Sequence, residues 1–140
     1  MTGVDTNVLI DLLVSSMPNH NKSLQAIANL NDELCTTPTN IGECLRLLTH
    51  PKLFPKPTKI SMAVDALRDL FEALQIQLLE EDRFWWEHLK GLEAQIPDLR
   101  GNEVFDARIA LCLKHNGVKR FFTYDSDFRK YSFLQIIKST

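Results

Sequence analysis

Apolar residues recur along this chain in two rhythms, and the alternation between them is its main structural signal. Spacings of three and four predict helices near Asn7–Val14, Asn21–Asn31, Asn40–Leu48, Thr58–Leu74, Asp82–Ala94 and Glu103–Asn116. The clearest is Thr58–Leu74, where Ile60, Val64, Leu67 and Phe71 form one stripe. Leu24, Ile27, Ala28 and Asn31 mark the second helix, and Trp85, Leu89 and Leu92 share a face of the fifth. Between the helices, short runs read as strands at Thr2–Asp5, Glu33–Thr37, Gln75–Leu79, Lys119–Tyr124 and Leu134–Lys138. Asn102 is placed to cap the last helix and Gly117 to stop it. Prolines 51, 55 and 57 forbid a continuous helix and mark a connecting loop.

Strands separated by helices imply an α/β fold, with a parallel sheet of about five short strands covered on both faces. A chain of 140 residues is expected to form one compact domain, residues 1–140. In such sheets, sites form at the carboxyl ends of strands, beside the point where strand order reverses. Asp5 and Asp125 end strands at that edge, and Glu43 and Asp106 lie near the starts of helices that enter from it. The pattern thus predicts that these distant acids meet.

Taken singly, each acid has a structural explanation. Asn40 and Glu43 have capping-box spacing, Asp106 complements a helix dipole, and Asp125 or Asp127 can cap a turn. Capping, however, does not require all of them at one edge. Clustered carboxylates are costly without a counter-ion, and oxygen-only ligands suit Mg²⁺ or Mn²⁺. The pattern therefore points to metal-assisted phosphodiester chemistry.

Composition changes this picture little. The formal charge of −2 does not advertise a nucleic-acid binder, although several acids belong to the proposed cluster. Cys35, Cys44 and Cys112 have no metal-type spacing and read as small buried hydrophobes in a reducing compartment. His20, His50, His88 and His115 are dispersed, which argues against zinc. No apolar stretch reaches membrane-spanning length, and Asp5 and Asp11 interrupt the start, so a cytoplasmic protein is expected.

Other side chains are weaker candidates for substrate contact. Thr6 and Asn7 can bond Asp5 or a phosphate, and Asn7 can equally cap a helix. Arg46, one turn after Glu43, either reaches phosphate or pairs with that glutamate. Arg129 and Lys130 fit backbone phosphates or a solvated surface. Trp85 reads as core, whereas Phe84 and Trp86 point elsewhere on that helix and one of them suits a partner surface.

At these residues the chain resembles the PIN-domain ribonucleases and, within them, the VapC toxins of bacterial toxin–antitoxin pairs. The resemblance spans nearly the whole chain. It rests on Val4-Asp5-Thr6-Asn7-Val8-Leu9-Ile10-Asp11, on Gly42-Glu43-Cys44-Leu45-Arg46 through Pro51, on Gly101-Asn102-Glu103-Val104-Phe105-Asp106-Ala107-Arg108, and on Thr123-Tyr124-Asp125-Ser126-Asp127-Phe128. It implies a three-layer α/β/α fold and a Mg²⁺- or Mn²⁺-dependent endoribonuclease acting on RNA, such as transfer or ribosomal RNA. It also implies a cognate antitoxin and a homodimer. Asp5, Glu43, Asp106 and Asp125 match the family's acidic positions, and Asp127 matches an auxiliary acid. The opening strand is shorter than the family's usual one. Two alternative readings are a PIN nuclease of RNA processing and a catalytically silent RNA-binding or assembly protein.

Overall fold

The computed structural model describes residues 1–138. Its elements run β1 (Thr2–Val4), α1 (Thr6–Leu13), α2 (His20–Leu30), β2 (Leu34–Thr36), α3 (Pro38–Leu48), α4 (Ile60–Leu74), β3 (Gln77–Leu78), α5 (Trp85–Leu92), α6 (Glu103–His115), β4 (Arg120–Phe122) and β5 (Gln135–Ile137). A 3-10 turn at Ser126–Lys130 links the last two strands. All strand pairs are parallel, in the order β3-β2-β1-β4-β5. The sheet is therefore built outward from β1 in both directions.

Alternation along each strand divides the core between the two faces. Leu34 and Phe122 join Val4 in a cluster with α1, α2, α3 and α4, while Cys35 and Phe121 pack with α5 and α6. The result is the three-layer α/β/α arrangement expected from the sequence. Three residues suffice for the central strand because helices cover both sides, leaving Thr2, Gly3 and Val4 fully buried. Gly3 is required there by space. A Cβ on it would lie 2.7 Å from Leu113 Cδ2 and 3.0 Å from Phe121 Cδ1. The three thiols are buried and unpaired.

Several expectations are corrected. Helix α3 begins at Pro38 with Thr37 as its cap, so Asn40 is not an N-cap and the Asn40–Glu43 capping box does not exist. Proline at the first helical position, after a threonine whose hydroxyl accepts from Asn40 N, explains the earlier start. Asn102 occupies the N-cap position of α6 without a side-chain cap bond, whereas Gly117 stops the helix at φ 71°. The stripe on α4 is buried only at Leu67 and partly at Phe71; Ile60 and Val64 are exposed because the buried line runs through Ala63. In α2 the inward line is Ser23 and Ile27, leaving Leu24 and Ala28 exposed. β3 shrinks to two exposed residues because Gln75 takes a left-handed conformation that ends α4. α5 is shorter than Asp82–Ala94, and Trp85 is covered by the Arg108 guanidinium, 4.2 Å above its ring, rather than by the core.

Candidate active site

Asp5 leaves the end of β1 with its backbone N–H donated to Phe122 O, which continues the ladder one residue past the strand. Its side chain is 5% exposed and has a donor at each oxygen. Oδ1 accepts from Thr6 N at 2.8 Å and from Asn40 Nδ2 at 3.0 Å; Oδ2 accepts from Thr123 Oγ1 at 2.6 Å. Each donor comes from a different carboxyl-end segment: the start of α1, the first turn of α3 and the residue after β4.

The same donors reach the other acids. Asn40 Nδ2 also donates to Thr6 Oγ1, which donates to Glu43 Oε1 at 2.8 Å. Thr123 Oγ1 accepts from Asp125 N at 3.0 Å, and Asp125 Oδ1 caps the 3-10 turn by accepting from Asp127 N. Asp5 is thus connected to Glu43 through Thr6 and Asn40, and to Asp125 through Thr123.

Asp106, half-buried in the first turn of α6, completes the group. Burial pushes its carboxyl up to about 7, reinforced by the charges of Asp125, Asp5 and Glu43 and opposed by Lys130. Asp5 is pushed up to about 6, chiefly by burial and further by Glu43 and Asp125, against the lowering effect of its bonds from Thr123 and Thr6. Four acids from distant segments therefore lie within one another's electrostatic field. Among the described residues no cation forms an ion pair with any of them. Lys130 is the nearest thing to a counter-charge, and it pairs with Glu103 at 3.4 Å.

The donor set fits a hard divalent cation. Every acid offers oxygen, and the bonds to Asp5 favour its anionic form. The site is nevertheless open: among the described residues, the three-residue group whose ligand atoms all lie within 4.8 Å of one another is Asp82, His88 and His115, not these acids. That pairing of His88 with His115 also corrects the expectation that the histidines stay dispersed.

Glu43 and Asp106 line a cleft of about 650 Å³ between the starts of α3 and α6. Arg46 borders it, exposed and without an ion pair among the described residues, so it does not pair with Glu43. Arg108 also borders it but is held by Glu81 in two hydrogen bonds of 2.7 and 2.6 Å. Asp127 is exposed and does not contribute to the shifts of Asp5 or Asp106. Asn7 lies inside α1 rather than at its cap, with Oδ1 buried and without a partner among the described residues. Arg129 is exposed; Phe84 and Trp86 are 44% and 56% exposed.

Sequence reading missed Asn40 and Thr123 as the groups that orient Asp5, and Phe105 as an exposed aromatic on the cleft wall. Thr37-Pro38 carried a signal for Asn40, because a proline at the first helical position moves Asn40 into the first turn. Thr123 had no such signal, since its role depends on β4 lying beside β1.

Comparison with known proteins places the fold and the family. The chain is 27% identical to Ribonuclease VapC48 of Mycobacterium tuberculosis over 137 residues, covering 94% of this chain and 92% of that one. Its fold matches the crystal structure of VapC20 from Mycobacterium tuberculosis, described as a Sarcin-Ricin loop cleaving toxin, with a TM-score of 0.72 and 18% identity over 96% of this chain and 97% of the other. It also matches VapBC2 from Rickettsia felis, solved bound to a promoter DNA fragment, with a TM-score of 0.65 and 15% identity over 99% and 98% of the two chains. The PIN domain family profile matches residues 4–134, nearly the whole chain, and the protein belongs to the PIN domain family.

Proposed function

We propose that this protein is a metal-dependent endoribonuclease and the toxin of a toxin–antitoxin pair. The observation that carries the reading is the convergence of four acids, in which burial and the neighbouring carboxylates push Asp5 and Asp106 toward neutrality while Glu43 and Asp106 line an open cleft. A fold with no use for a cation would not assemble this repulsion. Asp5 and Asp106 would hold Mg²⁺ or Mn²⁺, with Glu43 and Asp125 contributing directly or through water. When bound, the ion supplies a water of lowered pKa and stabilises charge developing on the phosphate.

The protein's own groups do the positioning. Asn40 and Thr123 hold the Asp5 carboxylate by opposite oxygens, which fixes its orientation. Thr6 holds Glu43 by one of its oxygens. Arg46 is free to meet a backbone phosphate, and Phe105, 49% exposed beside Asp106, offers a ring for base stacking. No covalent nucleophile is needed.

The relative's name, Ribonuclease VapC48, supports the nuclease, and the VapBC complex among the fold neighbours supports a protein partner of the antitoxin kind. We extend both to this chain, with RNA such as transfer or ribosomal RNA as substrate and a homodimer as the working form. No helix of the described residues is long and apolar enough to cross a membrane. The test is cleavage of RNA by the purified protein in Mg²⁺ or Mn²⁺, compared with chelator and with Asp5→Asn. Cleavage that survives both the chelator and the substitution overturns the reading.

A further inference from the structure

Outside the carboxylate cleft, the described residues bring Asp82, His88 and His115 together. One ligand atom from each lies within 4.8 Å of the others. The two imidazoles meet edge to face, with ring centroids 4.6 Å apart and planes at 70°. Asp82 Oδ2 lies 3.7 Å from His88 Nε2. These residues come from the loop after β3, from α5 and from the last turn of α6, which is why their sequence spacing carried no metal signal.

We propose that this trio is a binding site for a transition-metal ion of the zinc type, separate from the nuclease centre. Two imidazole nitrogens and one carboxylate oxygen suit Zn²⁺ far better than Mg²⁺, which prefers oxygen ligands alone and retains water. The trio leaves a fourth position open. An exposed Asp–His pair contributes little by itself and has no need of a second imidazole.

The surroundings hold the trio in place. Asp82 Oδ1 accepts from Phe84 N at 2.7 Å, which orients the carboxylate and leaves Oδ2 toward His88. The loop carrying Asp82 is fastened to α6 at two neighbouring residues. Asn116 Nδ2 donates to Glu80 O at 2.9 Å, and Arg108 grips both oxygens of Glu81 through Nε and Nη2. That attachment brings Asp82 near His115, and the packing of α5 on α6 brings His88 to both. A bound ion would close a third link, tying α5 to α6. His115 and Asp106 are nine residues apart on α6, so about 13–14 Å of helix separates this site from the nuclease acids.

The experiment is isothermal titration of Zn²⁺ into the full chain, freed of any polyhistidine tag, with Mg²⁺ in large excess to occupy the carboxylates. The wild type should bind one equivalent with a Kd at or below about 100 μM, and its melting temperature should rise with Zn²⁺ concentration. His88→Ala and His115→Gln should each weaken binding by about tenfold or more, while Mg²⁺-supported RNA cleavage stays at the wild-type level. Asp106→Asn should bind Zn²⁺ as the wild type does. The proposal is overturned if the wild type binds no equivalent, if the double histidine variant binds undiminished, or if Asp106→Asn abolishes binding. The last result would place the ion in the cleft. Both tryptophans lie on α5, so a Zn²⁺-dependent change in their emission, absent in the histidine variants, gives a second reading.

Discussion

Thr123 donates to Asp5 across the junction of β1 and β4, and at 2.6 Å it is the shortest of the bonds that hold this carboxylate. The threonine oxygen in turn accepts from Asp125 N. One buried hydroxyl therefore joins Thr6 N and Asn40 in fixing Asp5 and also holds the loop that carries Asp125. The strand pairing that puts Thr123 there is the same pairing that closes the core, so folding and site assembly are one event.

Asp5→Asn should fold and fail to cleave RNA. Its amide oxygen can accept from Thr6 N and Asn40 Nδ2, and its amide nitrogen can donate to the Thr123 oxygen, so the contacts are kept and only the Thr123 proton loses its acceptor. What disappears is the charge. Asp106→Asn should behave alike. Cleavage should fall by more than about a hundredfold in each, since even groups that only orient metal ligands contribute about 10–100-fold. Circular dichroism and a gel assay of RNA cleavage check the two halves of the expectation.

Asn40 separates an orienting role from a capping one. Asn40→Ala removes the donor shared by Asp5 and Thr6 in a fully buried position and should cost about 1–3 kcal/mol. It should also lower affinity for Mn²⁺ by about tenfold or more. Asn40→Asp should be worse, by about 3 kcal/mol or more, because it buries another anion beside Asp5. Denaturant melts and metal titration of both variants give the comparison, and an unchanged Mn²⁺ affinity in Asn40→Ala would contradict the orienting role.

Without metal, stability should fall as pH rises. Asp5 and Asp106 hold their protons to about 6 and about 7 in the folded protein, against 3.8 for an unperturbed aspartate. Between those values the folded state binds more protons than the unfolded one, so the slope of unfolding free energy against pH is negative. The contribution is full below about pH 4 and lost by about pH 7–8. Divalent metal should flatten or reverse the trend, because it binds the ionised folded site alone. Asp106→Asn should match or exceed wild-type stability in chelator at neutral pH. Melting temperatures from pH 5 to 8, in chelator and in Mg²⁺, are the measurement.

Gly3→Ala should destabilise the protein by about 1–3 kcal/mol through overpacking, without touching the carboxylates. The added methyl meets Leu113 and Phe121 in the centre of the α6 side of the core. Urea unfolding should show a lower midpoint, while metal affinity of the folded fraction is unchanged.

The amino-acid sequence by itself determined the alternation of elements, the parallel sheet and the edge at which Asp5, Glu43, Asp106 and Asp125 would stand. These depend on local periodicity and on chain connectivity, which are written in consecutive residues. It placed the ends of α6 correctly at Asn102 and Gly117, and misjudged Asn40, whose side chain is drawn to Asp5 and Thr6 inside the first turn of α3. Only the tertiary structure decided that Asn40 and Thr123 grip Asp5, that Arg46 leaves Glu43 alone, and that the C-terminal half of α4's stripe alone is covered. It alone brought His88 to His115. Hydrogen-bond partners and metal ligands are chosen by ångström-scale proximity between segments 30 or more residues apart in several of these cases, and no local pattern encodes that distance.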